Sequence, residues 1–372
     1  MQPFEFDFIV APPTISTEIA LEPAHSALNN LVALNKAQTF SGLDAWVDQA
    51  NLTPEQLHRN RLVLEGLFYA LPLNNRWPNF PASIDYLAGQ KPADLVQQVL
   101  RAYLRLAQSN SGADRSSRLP APSELLADRT FFLEFLQTHF TSGVDLAVEA
   151  EAHTLLNDPT VLQTVMVDHL REMWDTVLEP DWSQTEPLLA AVVDAFQRLD
   201  LSQLSKLEAA EQVVGRPLTA DWEIKCLKDA EEVVFVPSVH TGPYLTKIFG
   251  RIADRSILWL FFPARQPDGI STEAPVRFNA ALIRAELLIR LNALGDDTRL
   301  RILSLLTEHD ELCSKDILTQ LNLSQSAASR HLKQLSASGF LLERAQASAK
   351  CYRLNPQRVE DTLNALAQFL RS

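Results

Sequence analysis

Apolar residues recur at three- and four-residue spacings through most of the first two hundred positions, which is the signature of helices with one buried face. The pattern predicts helices at about 23–37, 54–69, 92–107, 122–138, 161–178, 186–199 and 201–214. Start signals agree with it: proline stands in the first turn of several, and Thr53, Ser123 and Thr160 lie at their beginnings. Residues 108–123, rich in Ser, Gly, Asp, Arg and Pro, read as a loop, and no repeat of fixed period is visible. Strand character is confined to three places. Phe4, Phe6, Phe8 and Val10 alternate along the extreme N-terminus, while 231–237 (EEVVFVP) and 256–263 (SILWLFFP) are dense in β-branched and aromatic residues. A small sheet that joins the N-terminus to the two late strands would make residues 1–264 one mainly helical module.

The pattern changes after a polar, Pro- and Gly-bearing stretch at 264–275 (ARQPDGISTEAP), which reads as a linker. A helix at about 297–306 carries Leu300, Leu303 and Leu306 on one stripe, and a second at about 314–321 carries Ile317, Leu318 and Leu321. After a turn at Asn322 and Leu323, Ser324 is placed to cap a third helix that runs to about Ala337. Ala328, Leu332, Leu335 and Phe340 would then point inward, leaving Gln325, Ser326, Ser329, Arg330 and Lys333 outside. Gly339 supplies the stop. Two short strands, 340–343 and 350–354, flank a polar loop at 344–349. Three helices with a tight turn before the third, followed by a hairpin, describe a winged helix-turn-helix.

Short polar and basic side chains on the third helix can meet base edges and phosphates. Gln325, Ser326, Ser329 and Arg330 are candidates for base contact, and Lys333, Arg344, Lys350 and Arg353 for phosphate contact. His331 either donates to a phosphate or lines a neighbouring helix. The fold class expected is mainly α with small β components: a helical α+β module at 1–264, a linker at 265–275 and a winged helix-turn-helix at 276–372.

Residues from about 281 to 370 resemble the ArsR-type winged helix-turn-helix family, through LGDDTRLRILSLL at 294–306, ELCSKDILTQL at 311–321 and SRHLKQLSASGFL at 329–341. The resemblance implies a dimeric repressor that reads a near-palindromic operator in double-stranded DNA. It also implies a dimer surface, here Ile283, Leu287, Leu288 and Leu291 with Val359, Leu363, Leu366 and Phe369 of the terminal helix; by periodicity alone the same stripes serve equally as a core that faces the N-terminal module. Some members sense metals or metalloids. One known site needs thiols two positions apart, where this chain has Cys313 and Lys315; another needs histidine in the terminal helix, and 356–370 contains none. No metal site and no cofactor is therefore expected.

Charge divides the chain in the same place. The net charge is -13, yet residues 271–372 hold thirteen basic against eleven acidic side chains, so that part is +2 and the front is -15. Positive charge is concentrated where the motif would meet DNA, and the acidic front reads as a sensing or assembly module. At 236–245 (VPSVHTGPYL), Ser238, His240, Thr241, Gly242 and Tyr244 follow a buried strand, a position suited either to a small effector or to a hinge. The alternative is a turn shaped by Pro and Gly, with His240 and Tyr244 bonded locally. Glu149, Glu151 and His153 sit close in sequence but lack a second histidine, and no Gly-rich phosphate loop, GxSxG, HExxH or CxxC is present, so no enzyme is expected. Three cysteines make a disulfide framework unexpected, and free buried thiols are the expectation for them. With no leader and no apolar run near the roughly 20 residues of a membrane span, the cytoplasm is the expected location. A second function class remains open: a winged helix that binds a protein partner as a scaffold.

Overall fold

The computed structural model describes residues 16–37, 39–110, 119–140, 144–267, 276–346 and 349–371. At the heart of the first three quarters stands a four-stranded sheet of β1 (Ser16–Ile19), β2 (Glu232–Ser238), β3 (Thr246–Ile252) and β4 (Arg255–Pro263) in the order β1-β2-β4-β3. β1, β2 and β4 run parallel, and β3 pairs antiparallel with β4 at the edge. The unbroken apolar runs of β2 and β4 arise because both faces of the sheet are covered. Val234, Val236, Trp259 and Phe261 enter one core, while Val233, Phe235, Leu258, Leu260 and Phe262 enter the other, as the two-residue pleat requires. The first core is closed by helices that include Pro23–Lys36, Pro92–Asn110, Leu146–Leu156 and Pro159–Met173, and the second by Glu179–Phe196, Lys206–Val214 and Asp221–Asp229.

An N-terminal strand does join the two late strands, but it is Ser16–Ile19; the alternating stretch at residues 4–10 lies outside the described residues. β3 was not expected. TKIFGRI mixes two charges and a glycine among its apolar residues, and its alternating exposure is that of an edge strand. The helix expected at 54–69 is interrupted: Pro54–Arg61 passes into a π turn at Leu62–Gly66 and a 3-10 turn at Phe68–Ala70. The stretch 122–138 is two helices, because Asp128 leaves the first and caps Arg129–His139 by accepting from the N–H groups of Thr130 and Phe131. Ser205 and Glu208 form a reciprocal cap that starts a helix at Lys206 instead of Leu201. Ala45–Gln49, Phe80–Gly89 and Asp221–Asp229 are further helices.

The last hundred residues have a core of their own, with Ile302, Ile317, Leu332, Leu335, Phe340 and Tyr352 at its centre. Helices Asp297–Leu305, Ser314–Leu321 and Gln325–Ala337 pack on a three-stranded sheet of β5 (Leu312–Cys313), β6 (Leu341–Gln346) and β7 (Ala349–Leu354), in the order β5-β7-β6. The hairpin strands are longer than expected, so four of the six residues assigned to the polar loop are paired; 347–348 lie outside the described residues. The expectation of free buried thiols is corrected for two of the three cysteines. The antiparallel register of β5 and β7 sets Cys313 directly opposite Cys351, and the two are joined as a disulfide, while Cys226 is buried and free. Their separation of 38 positions hides this pairing from any local motif. Among the described residues no helix is long and apolar enough to cross a membrane.

Candidate nucleic-acid interface

The geometry of the C-terminal region follows from its caps. Asp296 caps Asp297–Leu305 by accepting from Arg299 N–H, and Asn322 ends Ser314–Leu321 in the left-handed region at φ 52°. Ser324 then accepts from Ala327 N–H and starts Gln325–Ala337. Ala328, Leu332 and Leu335 are buried, as expected of one helical face. Gln325, Ser326, Ser329, Arg330 and Lys333 are exposed, and their spacing puts them on one stripe. His331 is half-buried and turned to Asp296, with Nδ1 3.6 Å from the carboxylate. Burial lowers its pKa against the opposing pull of Asp296.

Two of the four basic residues expected to meet phosphates hold intramolecular partners. Arg344 donates to Glu311 at 2.6 Å, and Lys350 lies 2.7 Å from Glu343 on the opposite strand. Arg353 is exposed on β7. Lys333 lies over the ring of Phe40, 3.6 Å from its centroid. Burial, then repulsion from Lys350 and Lys36, lowers its pKa.

Phe40 belongs to the N-terminal module, and its contact is part of a lock on the inner side of the same helix. Ser41 Oγ donates to Gln334 Oε1 at 2.6 Å, and the same oxygen accepts from Arg299 Nη1 at 3.0 Å. Gly42 has φ +81°, and a Cβ there would stand 2.5 Å from Gln334 Nε2. Gly242, at φ +57°, presses on it from behind, since a Cβ would meet Gly42 O at 2.0 Å. Only residues without side chains permit three segments this close. Elsewhere along the seam, Glu343 N–H donates to Thr219 Oγ1 at 3.0 Å and Arg358 Nη1 to Gly215 O at 3.4 Å.

The 236–245 loop therefore stands directly behind the lock. Tyr244 OH donates to Ser41 O at 2.7 Å. His240 is buried, stacked on Trp46 at 4.2 Å between centroids, and bridges Asp181 (Nε2, 2.7 Å) and Asp44 (Nδ1, 3.3 Å). Burial opposes the imidazolium, but hydrogen bonds to Asp181 and Asp44 and their charges outweigh it and raise the pKa. Ser238 Oγ and Thr241 Oγ1 are buried without a hydrogen-bond partner among the described residues. Sequence reasoning singled out this loop but missed Phe40, Ser41, Gln334 and Arg299. Ser41 and Gln334 lie 293 positions apart, and no local signal connects them.

The acidic group near residue 150 does not converge. Glu149 is held by Tyr103 OH at 2.9 Å, Glu151 faces His58 at 2.8 Å, and His153 bonds Leu125 O at 2.9 Å. Burial raises the Glu149 pKa to about 7. Among the described residues no three His, Cys, Asp or Glu side chains gather in a metal-binding arrangement.

Comparison with known proteins singles out the same C-terminal region. The family described as "Bacterial regulatory protein, arsR family" matches residues 296–341. The arsenic resistance transcriptional regulator ArsR2 of Pseudomonas putida is 40% identical over 85 residues, which are 21% of this chain and 74% of that protein. The arsenical resistance operon repressor of Escherichia coli is 51% identical over 63 residues, 17% of this chain and 54% of the relative. Another Pseudomonas putida protein, ArsR1, is 41% identical over 69 residues, 18% of this chain and again 54% of the relative. The chain thus spans about half the length of two of these three relatives. No solved structure matches.

Proposed function

The chain belongs to the bacterial arsR family of regulatory proteins through its C-terminal residues, and from that premise we propose that it is a homodimeric transcriptional repressor of a near-palindromic operator. The observation that carries the reading is the stripe Gln325, Ser326, Ser329, Arg330 and Lys333 on a capped helix between a tight turn and a hairpin, with Lys333 at its end resting on Phe40. Gln325, Ser326, Ser329 and Arg330 read bases in the major groove. Lys333, Arg344, Lys350 and Arg353 hold phosphates, the second and third by exchanging Glu311 and Glu343 for DNA. Such a protein works in the cytoplasm, where its DNA is.

Support for a dimer comes from apolar side chains left in solvent on two helices that pack together. Ile283 and Leu288 on Val276–Leu294, and Leu363 and Leu370 at the terminal helix, are 45%, 53%, 58% and 74% exposed. Leu287 is buried and belongs to the protomer's own packing. Residues 1–264 act as the sensing module, joined to the 276–372 DNA-binding domain through 265–275. Ser238, His240, Thr241, Gly242 and Tyr244 transmit its state, because the 40–44 segment they support touches Gln334 and Lys333. The arsenic in the relatives' names is not extended to this chain: Cys313 is bonded to Cys351 and Lys315 stands where the resemblance asks for a second thiol.

The test is an anisotropy titration of a labelled random-sequence duplex over a range of salt. Four phosphate-binding residues per protomer, doubled in a dimer, predict a slope of log K against log salt of about -7. Absent or salt-independent binding contradicts the reading and favours a protein-binding scaffold.

A further inference from the structure

Between the Gln325–Ala337 helix and the N-terminal module lies a cleft of about 420 Å³, within the range of small-molecule sites. Its charge is uneven. Lys333, Lys350 and Arg216 face Glu343 and Glu223 in the lining, and Lys350 and Arg216 are each 2.7 Å from one of those carboxylates. One positive charge is left over. It is that of Lys333, which has no carboxylate partner among the described residues and rests on the Phe40 ring. Burial and the nearby lysines lower its pKa, and an arriving anion would supply the counter-charge it lacks. Ser336, also in the lining, has an enclosed Oγ with no hydrogen-bond partner among the described residues, a donor in want of an acceptor. Phe40, Trp222 and Tyr244 bring aromatic rings to the lining, beside the polar Thr219, Thr246 and Ser329; Lys333 rests on Phe40, and Lys247 lies 5.0 Å from the centroid of Trp222.

We propose that this cleft binds a small aromatic monocarboxylate, its carboxylate on Lys333 and Ser336 and its ring against Phe40 and Trp222. The charge balance selects a monoanion, and the ring lining selects a planar apolar body over a bare inorganic ion. Resting on the proposed DNA contacts, the consequence is competition: Lys333 is a phosphate anchor, so the occupied cleft withdraws it from DNA and releases the operator.

Benzoate is the probe, with benzamide and inorganic phosphate as comparators, titrated into the full chain without DNA and followed by tryptophan fluorescence and calorimetry. Benzoate saturates below about 20 mM, and benzamide and phosphate bind at least about tenfold more weakly. Lys333→Met lowers benzoate affinity at least about tenfold and Lys333→Arg restores most of it, with far-UV circular dichroism to show that each variant is folded. Trp222→Ala, on the other wall, lowers it as well. Equal binding of benzoate and benzamide, tighter binding of phosphate, no saturation, or wild-type affinity in Lys333→Met overturns the site. Saturating benzoate then weakens duplex binding at least about tenfold; unchanged duplex affinity overturns the competition alone. Benzoate binding by a chain that fails to bind any duplex leaves the site standing and refutes the regulator reading instead.

Discussion

Replacing Ser41 and Gln334 by alanine, singly and together, measures whether the two modules are locked as one body. Gln334 is 1% exposed, and its Oε1 accepts from Ser41 at 2.6 Å and from Arg299 at 3.0 Å. A neutral hydrogen bond contributes roughly 0.5–1.5 kcal/mol and one from a charged donor roughly 1.5–3. Ser41→Ala should therefore cost about 1 kcal/mol. Gln334→Ala should cost about 3, because it also strips an acceptor from the buried Arg299 guanidinium. The loss stops short of an orphaned buried charge, since Arg299 keeps Ala293 O at 2.6 Å and Asn292 O at 2.7 Å. In the double variant the shared bond is lost once, so its cost falls about 1 kcal/mol below the sum of the singles. Urea unfolding of the full chain reads this by two probes. All six tryptophans lie between Trp46 and Trp259, so fluorescence follows the N-terminal module while far-UV circular dichroism follows both. Coincident transitions and a coupling near 1 kcal/mol are expected. Costs that add to within about 0.3 kcal/mol refute the lock.

Arg330→Ala should reduce affinity for the selected operator by about 1–3 kcal/mol while sparing a scrambled duplex, whereas Lys350→Ala should weaken both alike; equal losses for Arg330→Ala remove its base-reading role. His240 has a raised pKa in the folded chain. Its stabilisation is complete below about pH 6.5 and fades as pH rises through the higher folded value, so His240→Asn should abolish that slope in a pH series of urea midpoints. Glu149 runs the other way. With a pKa raised from 4.5 to about 7, the folded state binds its proton more tightly, so stability falls as pH climbs between those values. Glu149→Gln should gain up to about 3 kcal/mol above pH 7 and little at pH 4.5, and a gain that does not grow with pH contradicts the buried charge. Leu288→Glu with Leu363→Glu should shift sedimentation from dimer to monomer; an unchanged sedimentation coefficient places the dimer contact elsewhere.

The C-terminal domain was legible because its determinants are local: Ser324 and Asp296 cap helices within three residues, Gly339 stops one, and apolar spacing fixes the buried face. β2 and β4 were legible for the same reason, as continuous apolar runs. What escaped depends on distant partners. β3 exists because β4 offers it an edge, and its own residues carry no strong strand signal. Cys313 meets Cys351 only through the strand register. Arg344 and Lys350, basic in the sequence, are in the fold partly neutralised by Glu311 and Glu343. The contact between Ser41 and Gln334, which ties the N-terminal module to the Gln325–Ala337 helix, has no counterpart in any window of the sequence.

Selection from a random duplex library with the full-length protein tests the central claim most directly. The account predicts enrichment of a near-palindromic sequence whose half-sites lie about one helical turn apart, lost in Arg330→Ala. A library that emerges without enrichment, or with an enriched motif to which Arg330→Ala binds as well as the wild type, contradicts it.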